Sequence, residues 1–174
     1  MTGITSSNVG RYFEDFHVGD VYRNPLGRTI TDADNIWFTL LTMNTNPMHF
    51  DAEYASRSEF GRMLVNSGLT VALLLGLTVP DLSQHGIANL GWREINLLKP
   101  VFAGDTLYAE SQVLEVRASA SRPHAGIVTA RSRGVNQRGE VCLSWIRSVM
   151  VLKREAEAGE ISFPPVAHDI EQEE

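Results

Sequence analysis

The second half of the chain alternates apolar and polar residues in a way typical of β-strands. Four segments there are rich in apolar and β-branched residues, and they cover 87–98, 106–117, 126–137 and 141–153. Turn-forming residues separate them, namely Gly104-Asp105, Ser121-Arg122-Pro123 and Arg138-Gly139. The segments are long, roughly ten residues against a usual five or six, and small residues recur within them. We therefore predict a strongly curved antiparallel sheet.

The first half has the spacing of helices instead. Thr31 is a suitable N-cap, and the acidic residues Asp32 and Asp34 follow in the first turn, where they interact favourably with the helix dipole. Apolar residues then recur on one face, as in an amphipathic helix, and they are Ile36, Trp37, Leu40 and Leu41. This helix must end before Pro47, because the residue that precedes a proline avoids helical geometry.

A second helix is predicted at 69–77, where the residues are apolar on almost every side. Such a helix is enclosed by other elements, and Pro80 ends it. A short strand at 21–23 and a short helix or turn at 52–58 complete the order of elements. An α+β fold, in which a curved antiparallel sheet wraps around a central buried helix, satisfies this order.

Length and charge narrow the possible classes of protein. The 174 residues suit one domain, which we place at 1–154, with an irregular acidic extension at 155–174. Hydrophobic residues make up 43% of the chain, enough for a core. The net charge of −6 argues against a nucleic-acid-binding surface, which needs clustered Lys and Arg.

Localisation signals and cysteine usage point to the cytoplasm. Residues 1–10 lack the apolar core of a signal peptide. The longest apolar stretch, 69–79, is too short for a membrane helix, which takes about 20 residues. The single cysteine, Cys142, cannot form an internal disulfide, so a reducing compartment is the simplest setting. Cys142 lies in a strand-like segment and is interpreted as a buried structural thiol.

The segment that carries candidate chemistry joins the first helix to the enclosed one. His49 can act as acid or base near neutral pH, Asn46 can donate and accept hydrogen bonds, and Pro47 stiffens the turn. A lone histidine is more often structural than catalytic, so these residues alone do not decide between the two roles.

The same segment resembles the signature of the MaoC-like, (R)-specific enoyl-CoA hydratases, in which Asp is followed by any residue, Asn-Pro, any residue and His. Asn46, Pro47 and His49 match in order and spacing. Further similar segments are 65–69, before the family's central helix, and 100–107, its Pro-Val-x-x-Gly-Asp-Thr-Leu connection. The resemblance covers roughly residues 12–153. It implies a hotdog fold, a homodimer or higher homo-oligomer, and reversible addition of water to a 2-enoyl-CoA thioester without a cofactor.

The family resemblance also implies a division of roles. An Asp and a His activate the water, while a backbone N–H at the start of the central helix polarises the thioester carbonyl. That helix end offers an unpaired donor and a partial positive charge where enolate charge develops. Gly68 matches the donor position, with Ser67 beside it, because glycine lets a ligand approach the backbone closely. Gly68 could also serve only a tight turn.

One position departs from the family pattern, because Asn44 stands where the family has its catalytic Asp. An amide can orient water but cannot take its proton. Three explanations remain open. His49 acts alone while Asn44 and Asn46 hold the water, or Asp51 supplies the missing carboxylate, or the protein binds acyl-CoA with little activity. Asp51 also suits a cap for the helix at 52–58.

The pattern of this turn also bears on the substrate and on alternative functions. The segment Met43-Asn44-Thr45-Asn46-Pro47 resembles that of proteins linked with branched or dicarboxylic substrates such as mesaconyl-CoA and 3-methylmalyl-CoA. Arg93 could pair with a substrate carboxylate or simply face solvent. The histidines have no metal-ligand spacing, so no metal is expected. A hotdog thioesterase and a non-catalytic acyl-CoA-binding subunit are the alternatives. An uncovered sheet edge would favour a dimer.

Overall fold

The computed structural model describes residues 10–156, which form one antiparallel sheet with helices packed on one face. The strands are β1 (Val21–Arg23), β2 (Arg28–Thr29), β3 (Gly86–Leu97), β4 (Thr106–Ala118), β5 (Ala125–Asn136) and β6 (Val141–Leu152). The helices are α1 (Asp32–Leu41), α2 (Ala52–Ser56) and α3 (Ser67–Leu77). Short 3-10 turns lie at Phe13–Asp15 and Pro47–His49, and a π-helical turn at Val79–Ser83 follows α3.

The sheet runs in the order β1, β4, β5, β6, β3, with β2 also paired to β4, and all of these pairings are antiparallel. The four long strands, β3 to β6, confirm the predicted segments to within one residue at every end. Strand β3 forms one edge of the sheet, and its pairing with β6 is interrupted by three register shifts. Such irregularities bend a strand and curve the sheet, as the small residues indicated.

Helix α3 lies across the concave face of the sheet and anchors the core. Its Leu69 and Leu74 are buried with Leu143 and Trp145 of β6. Gly134 of β5 makes this close packing possible, since a Cβ there would lie 2.5 Å from a methyl carbon of Leu143. The fold class is therefore as expected, but within one chain α3 is covered only on this side. Its opposite residues, Ala72 and Gly76, are exposed.

Helix α1 begins at its expected N-cap, where the Thr31 hydroxyl accepts the N–H of Asp34 and the Asp34 carboxylate accepts the N–H of Thr31. Its orientation is the opposite of the amphipathic prediction. Trp37 and Leu41 are 68% and 74% exposed, whereas Asn35 is buried at 1%. The helix is thus amphipathic as predicted, but its apolar face is exposed within one chain and its polar face is buried. The buried face instead carries polar groups that bond to the backbone of other segments.

The remaining predictions concern the termini and the membrane. None of the helices within residues 10–156 is long and apolar enough to cross a membrane. Most of the predicted acidic extension lies outside the described residues, so its boundary stays a prediction.

Cys142 is buried beside Leu143, as expected for a structural thiol, and burial raises the pKa of the thiol.

Asp105 fixes the connection between β3 and β4 through a buried carboxylate that pairs with a half-exposed arginine, Arg138. Its carboxylate accepts hydrogen bonds from the Phe102 N–H, from Gln137 and from Arg138, and its side chain is only 7% exposed. Burial alone would raise the pKa of Asp105. The three donors outweigh burial, so the pKa of Asp105 lies below its usual value.

We expect this carboxylate to stabilise the fold in a pH-dependent way. A lowered folded-state pKa gives stability that is complete above the unfolded pKa of about 3.9 and is lost as the pH falls through the folded value. Asp105→Asn should lower the free energy of unfolding by about 2 kcal/mol at pH 7, measured by urea denaturation. The difference from wild type should shrink below pH about 4. Glu53→Gln on the surface is the control, and a pH-independent difference would contradict the assignment.

Candidate active site

The turn between α1 and α2 is held by the side chains of its own asparagines. The Asn44 side-chain oxygen accepts the N–H of Asn46 at 3.0 Å, and the Asn46 oxygen accepts the N–H of Met48 at 3.1 Å. Met43 ends α1 in the left-handed region, at a φ of 56°. Asn44 and Asn46 thus shape the loop, and each keeps an NH2 group that can donate a hydrogen bond. Their proposed role in holding water stays a prediction.

His49 lies at the end of this turn with its tautomer defined. The residue is 8% exposed, and its ring Nδ1 is 2.8 Å from the carbonyl oxygen of Leu64. Because a carbonyl oxygen can only accept, Nδ1 must carry a proton. In the neutral ring, Nε2 then holds a lone pair. The contact therefore orients the imidazole so that Nε2 can act as a base.

A buried amide that sequence reasoning missed ties this turn to the start of α3. Asn35 of α1 donates from its side-chain nitrogen to the carbonyls of His49, at 2.8 Å, and Leu64, at 3.1 Å. Its side-chain oxygen accepts the N–H of Asn66 at 2.8 Å. One side chain thus satisfies three backbone groups from two segments. The polar residues Asn35 and Thr39, spaced four apart on one helix face, were the available signal.

The start of α3 is capped by Asn66. The Asn66 side chain accepts the N–H of Gly68 at 2.8 Å and donates to the Thr39 hydroxyl at 3.1 Å. The N–H of Gly68 therefore already has an acceptor, and it could bind a thioester oxygen only by sharing or exchanging this bond. Gly68 also permits close packing, since a Cβ there would lie 3.1 Å from the Phe38 ring. Its donor role stays a prediction.

A cleft opens beside these residues, between the first turn of α3 and the end of β3. Its volume is about 230 Å³, and its walls are mainly apolar. The wall residues include Leu64, Val65, Ser67, Thr70, Leu97 and Lys99. Leu64 also accepts the His49 ring hydrogen bond, so the imidazole is anchored to a wall residue of the cleft, while His49 and Gly68 are not themselves wall residues. An apolar cleft with a few polar groups is suited to an acyl chain.

Two other candidates lie apart from this cleft. The Asp51 carboxylate accepts the N–H of Tyr54 at 2.9 Å, which makes it the cap of α2. Arg93 has a side chain that is 63% exposed, with Glu94 at 3.9 Å. It pairs with Ile146, on the sheet face turned away from α3. Among residues 10–156, no three His, Cys, Asp or Glu side chains gather as metal ligands would.

Comparison with known proteins identifies a family. The sequence profile of the mesaconyl-CoA hydratases matches residues 3–170. A mesaconyl-CoA hydratase of Cereibacter sphaeroides is 38% identical over 152 residues, which are 87% of this chain and 44% of that protein. A β-methylmalyl-CoA dehydratase of Chloroflexus aurantiacus is 36% identical over 87% of this chain and 43% of its own length. The chain thus spans less than half the length of these two relatives.

The fold comparison agrees with the sequence comparison. A Mycobacterium tuberculosis protein with a double hotdog fold superposes on this chain with a TM-score of 0.75. The alignment covers 92% of this chain and 53% of that protein, at 22% identity, so it bears on the fold alone. The described residues therefore form one hotdog unit, which confirms the predicted fold, and the profile match over residues 3–170 confirms the family resemblance drawn from residues 46–49.

Proposed function

Because the chain belongs to the mesaconyl-CoA hydratase family of MaoC-like hotdog proteins, we propose that it is a hydro-lyase acting on acyl-CoA thioesters. It adds water to a 2-enoyl-CoA or removes water from the 3-hydroxyacyl product. The preferred substrate is branched and dicarboxylic, such as mesaconyl-CoA or a methylmalyl-CoA. The observation that carries the proposal is the hydrogen bond from His49 Nδ1 to the carbonyl oxygen of Leu64, a residue that also lines the α3 cleft.

The reaction uses His49 as the single acid and base. Nε2 takes a proton from water while the water oxygen bonds to the β-carbon of the enoyl group. The double-bond electrons move to the thioester oxygen, where the positive end of α3 and its first N–H groups stabilise the developing enolate. The protonated Nε2 then gives its proton to the α-carbon, which yields the 3-hydroxyacyl thioester. Dehydration follows the same steps in reverse.

The mouth of the cleft offers groups suited to coenzyme A. Lys99 lines it, with its ammonium 3.3 Å from Glu140. The Arg62 guanidinium lies 3.8 Å from the centre of the Phe102 ring, which in turn packs edge-on against Phe60 of the cleft wall. Cations of this kind can hold the phosphates of CoA, although the chain as a whole is acidic.

We also propose that the working form pairs two copies of the chain. Strand β3 is a sheet edge, and it exposes apolar side chains including Trp92, Ile95 and Leu97. On α3, the residues opposite the core, Ala72 and Gly76, are exposed as well. An unpaired apolar edge is a site for pairing with another chain, and a twofold arrangement would cover both features at once.

The direct test of the proposed activity is absorbance of the enoyl thioester on adding purified protein to mesaconyl-CoA, crotonyl-CoA or a methylmalyl-CoA. We expect the enoyl signal to fall with the first two and to rise with the third. A thiol reagent run in parallel reports free CoA. Release of CoA without formation of a hydrated or dehydrated product would instead indicate a thioesterase. If the protein bound acyl-CoA but released no product of either kind, a binding subunit would be the better description.

Asn44→Asp tests whether the amide belongs to a working site. An aspartate can still accept the Asn46 N–H, so the turn should be retained, but it loses the NH2 donor for the reacting water. We expect kcat to fall about tenfold, the effect of one lost hydrogen bond in the transition state. Steady-state rates and the thermal midpoint should be measured together. A rise in kcat would mean that the wild-type site is impaired.

A further inference from the structure

Arg147 is a buried cation that has no hydrogen-bonding or charged partner among residues 10–156. It lies on β6, is 3% exposed, and its Nε and Nη2 atoms have no hydrogen-bond partner among the described residues. Residues two positions away on either side, Trp145 and Val149, belong to the core beneath the helices. Because side chains alternate along a strand, Arg147 also faces that side of the sheet.

This placement is costly for a purely structural residue. Burial lowers the pKa of Arg147 to about 10, so the guanidinium is still charged at neutral pH. A buried charge without a counter-ion destabilises a fold, and a buried polar group left unsatisfied requires an explanation, such as a functional role or a bound ion. Surface arginines of the same sheet do have carboxylate partners, as Arg23 has with Glu110 at 2.8 Å.

Arg147 borders a second cleft along α3, of about 310 Å³. This cleft lies between the C-terminal half of α3, the π-helical turn and the first residues of β3. Its other wall residues are neutral, and they include Leu75, Val79, Ser83, Ile87, Asn89 and Val149. A single cation in neutral, largely apolar walls suits one monoanionic group attached to a short hydrocarbon chain, and a guanidinium fork binds a carboxylate through two hydrogen bonds.

We infer that Arg147 binds the free carboxylate of a dicarboxylic acyl thioester. The thioester half of this statement rests on the proposed function. Both clefts are walled by α3 and β3, and helix rise places the level of Leu75 roughly 10 Å from that of Gly68. A four-carbon diacid of roughly 5 Å with a hydrogen bond of about 3 Å at each end is of matching length. Arg93, the residue suggested by sequence, faces the other side of the sheet.

The test measures binding rather than turnover. Isothermal calorimetry compares methylsuccinyl-CoA, which has a free carboxylate and no double bond to hydrate, with 2-methylbutyryl-CoA, which lacks the carboxylate. Wild type should bind the first at least tenfold more tightly. Arg147→Met should weaken methylsuccinyl-CoA binding by about 100-fold, as for loss of a buried charge partner, and change 2-methylbutyryl-CoA binding by less than about threefold. Arg117→Met, an exposed strand arginine, should change neither affinity.

Two further measurements distinguish a loss of binding from a loss of folding. Arg147→Met should keep or raise the thermal midpoint, because it replaces an unpaired buried charge with an apolar side chain of similar volume. Arg147→Lys keeps the charge without the fork and should fall between wild type and Arg147→Met; it replaces the methionine variant if that variant does not fold. Equal binding of both ligands by wild type, or equal loss of both in the variants, would overturn the inference.

These outcomes are distinguishable from failure of the proposed function. Carboxylate-dependent binding without any hydration would support Arg147 as the anchor while removing the hydro-lyase proposal. Hydration without carboxylate preference would do the reverse. Failure of wild type to bind either acyl-CoA would overturn both.

Discussion

His49→Asn should lower kcat for hydration of the enoyl thioester by about 1,000-fold, within the range of general acid–base catalysis. Asparagine is the informative replacement because its side-chain nitrogen can take the place of Nδ1 and keep the hydrogen bond to the Leu64 carbonyl. The substitution therefore removes Nε2, the proposed acid and base, while retaining the anchor of the ring. Initial rates with the preferred enoyl-CoA, over a range of substrate concentrations, measure the effect.

Controls separate lost chemistry from a damaged fold. KM and the thermal midpoint of His49→Asn should stay close to wild type, because the turn and its contact with Leu64 are kept. His124→Asn, on the surface before β5, should leave kcat unchanged. Removal of a general acid–base group lowers kcat by at least about 100-fold. If His49→Asn retained more than about a tenth of wild-type kcat, His49 would therefore be a structural residue, and the water would need another base.

The largest loss of stability should follow Asn35→Leu. This substitution keeps the volume but leaves the Asn66 N–H and the His49 carbonyl without their buried partner, and it leaves the Leu64 carbonyl with only the His49 ring. We expect the free energy of unfolding to fall by about 4 kcal/mol, from the desolvation cost of the unpaired groups, measured by urea denaturation. We also expect kcat to fall at temperatures where the variant is fully folded, because Asn35 positions the turn that carries His49.

Thr39→Val provides the matched control. It sits one helical turn from Asn35 and removes a single buried bond, the one that Thr39 accepts from Asn66, so its cost should be about 1 kcal/mol with a small effect on kcat. Equal losses for the two variants would mean that the helix face as a whole matters, rather than the Asn35 network. Unchanged kcat in folded Asn35→Leu would show that the amide does not position the site.

The sheet was predictable because its signals are local. Alternating residues and turn dipeptides define β4, β5 and β6 without knowledge of what packs on them, and the same holds for the Thr31 cap of α1 and the Asp51 cap of α2. The facing of α1 was not predictable in this way. Its partners, the carbonyls of His49 and Leu64, lie 14 and 29 residues further along the chain. Hydrophobic periodicity carries no information about such contacts.

In the candidate site, too, the local features could be predicted from the sequence and the contacts between distant segments could not. His49 and its turn could be identified because the spacing from Asn46 to His49 is a contiguous pattern. The tautomer could not, since it depends on Leu64, which meets the ring only in the folded chain. Arg147 was missed because a charge in a strand suggests a solvent-facing position. The sheet face that carries Arg147 is covered only because α3 packs on it, and the sequence does not reveal where α3 packs. For the same reason Arg93, which faces the other side of the sheet, was the arginine selected from the sequence.

The central claim is that His49 and the first turn of α3 act on the same thioester. The most direct test is a crystal structure of the protein with an unreactive, saturated acyl-CoA. We expect the thioester oxygen to lie about 3 Å from an N–H in the first turn of α3, with the α- and β-carbons facing His49 Nε2. An acyl group bound away from this turn, with the His49 ring pointing elsewhere, would contradict the proposed chemistry, whatever the fold.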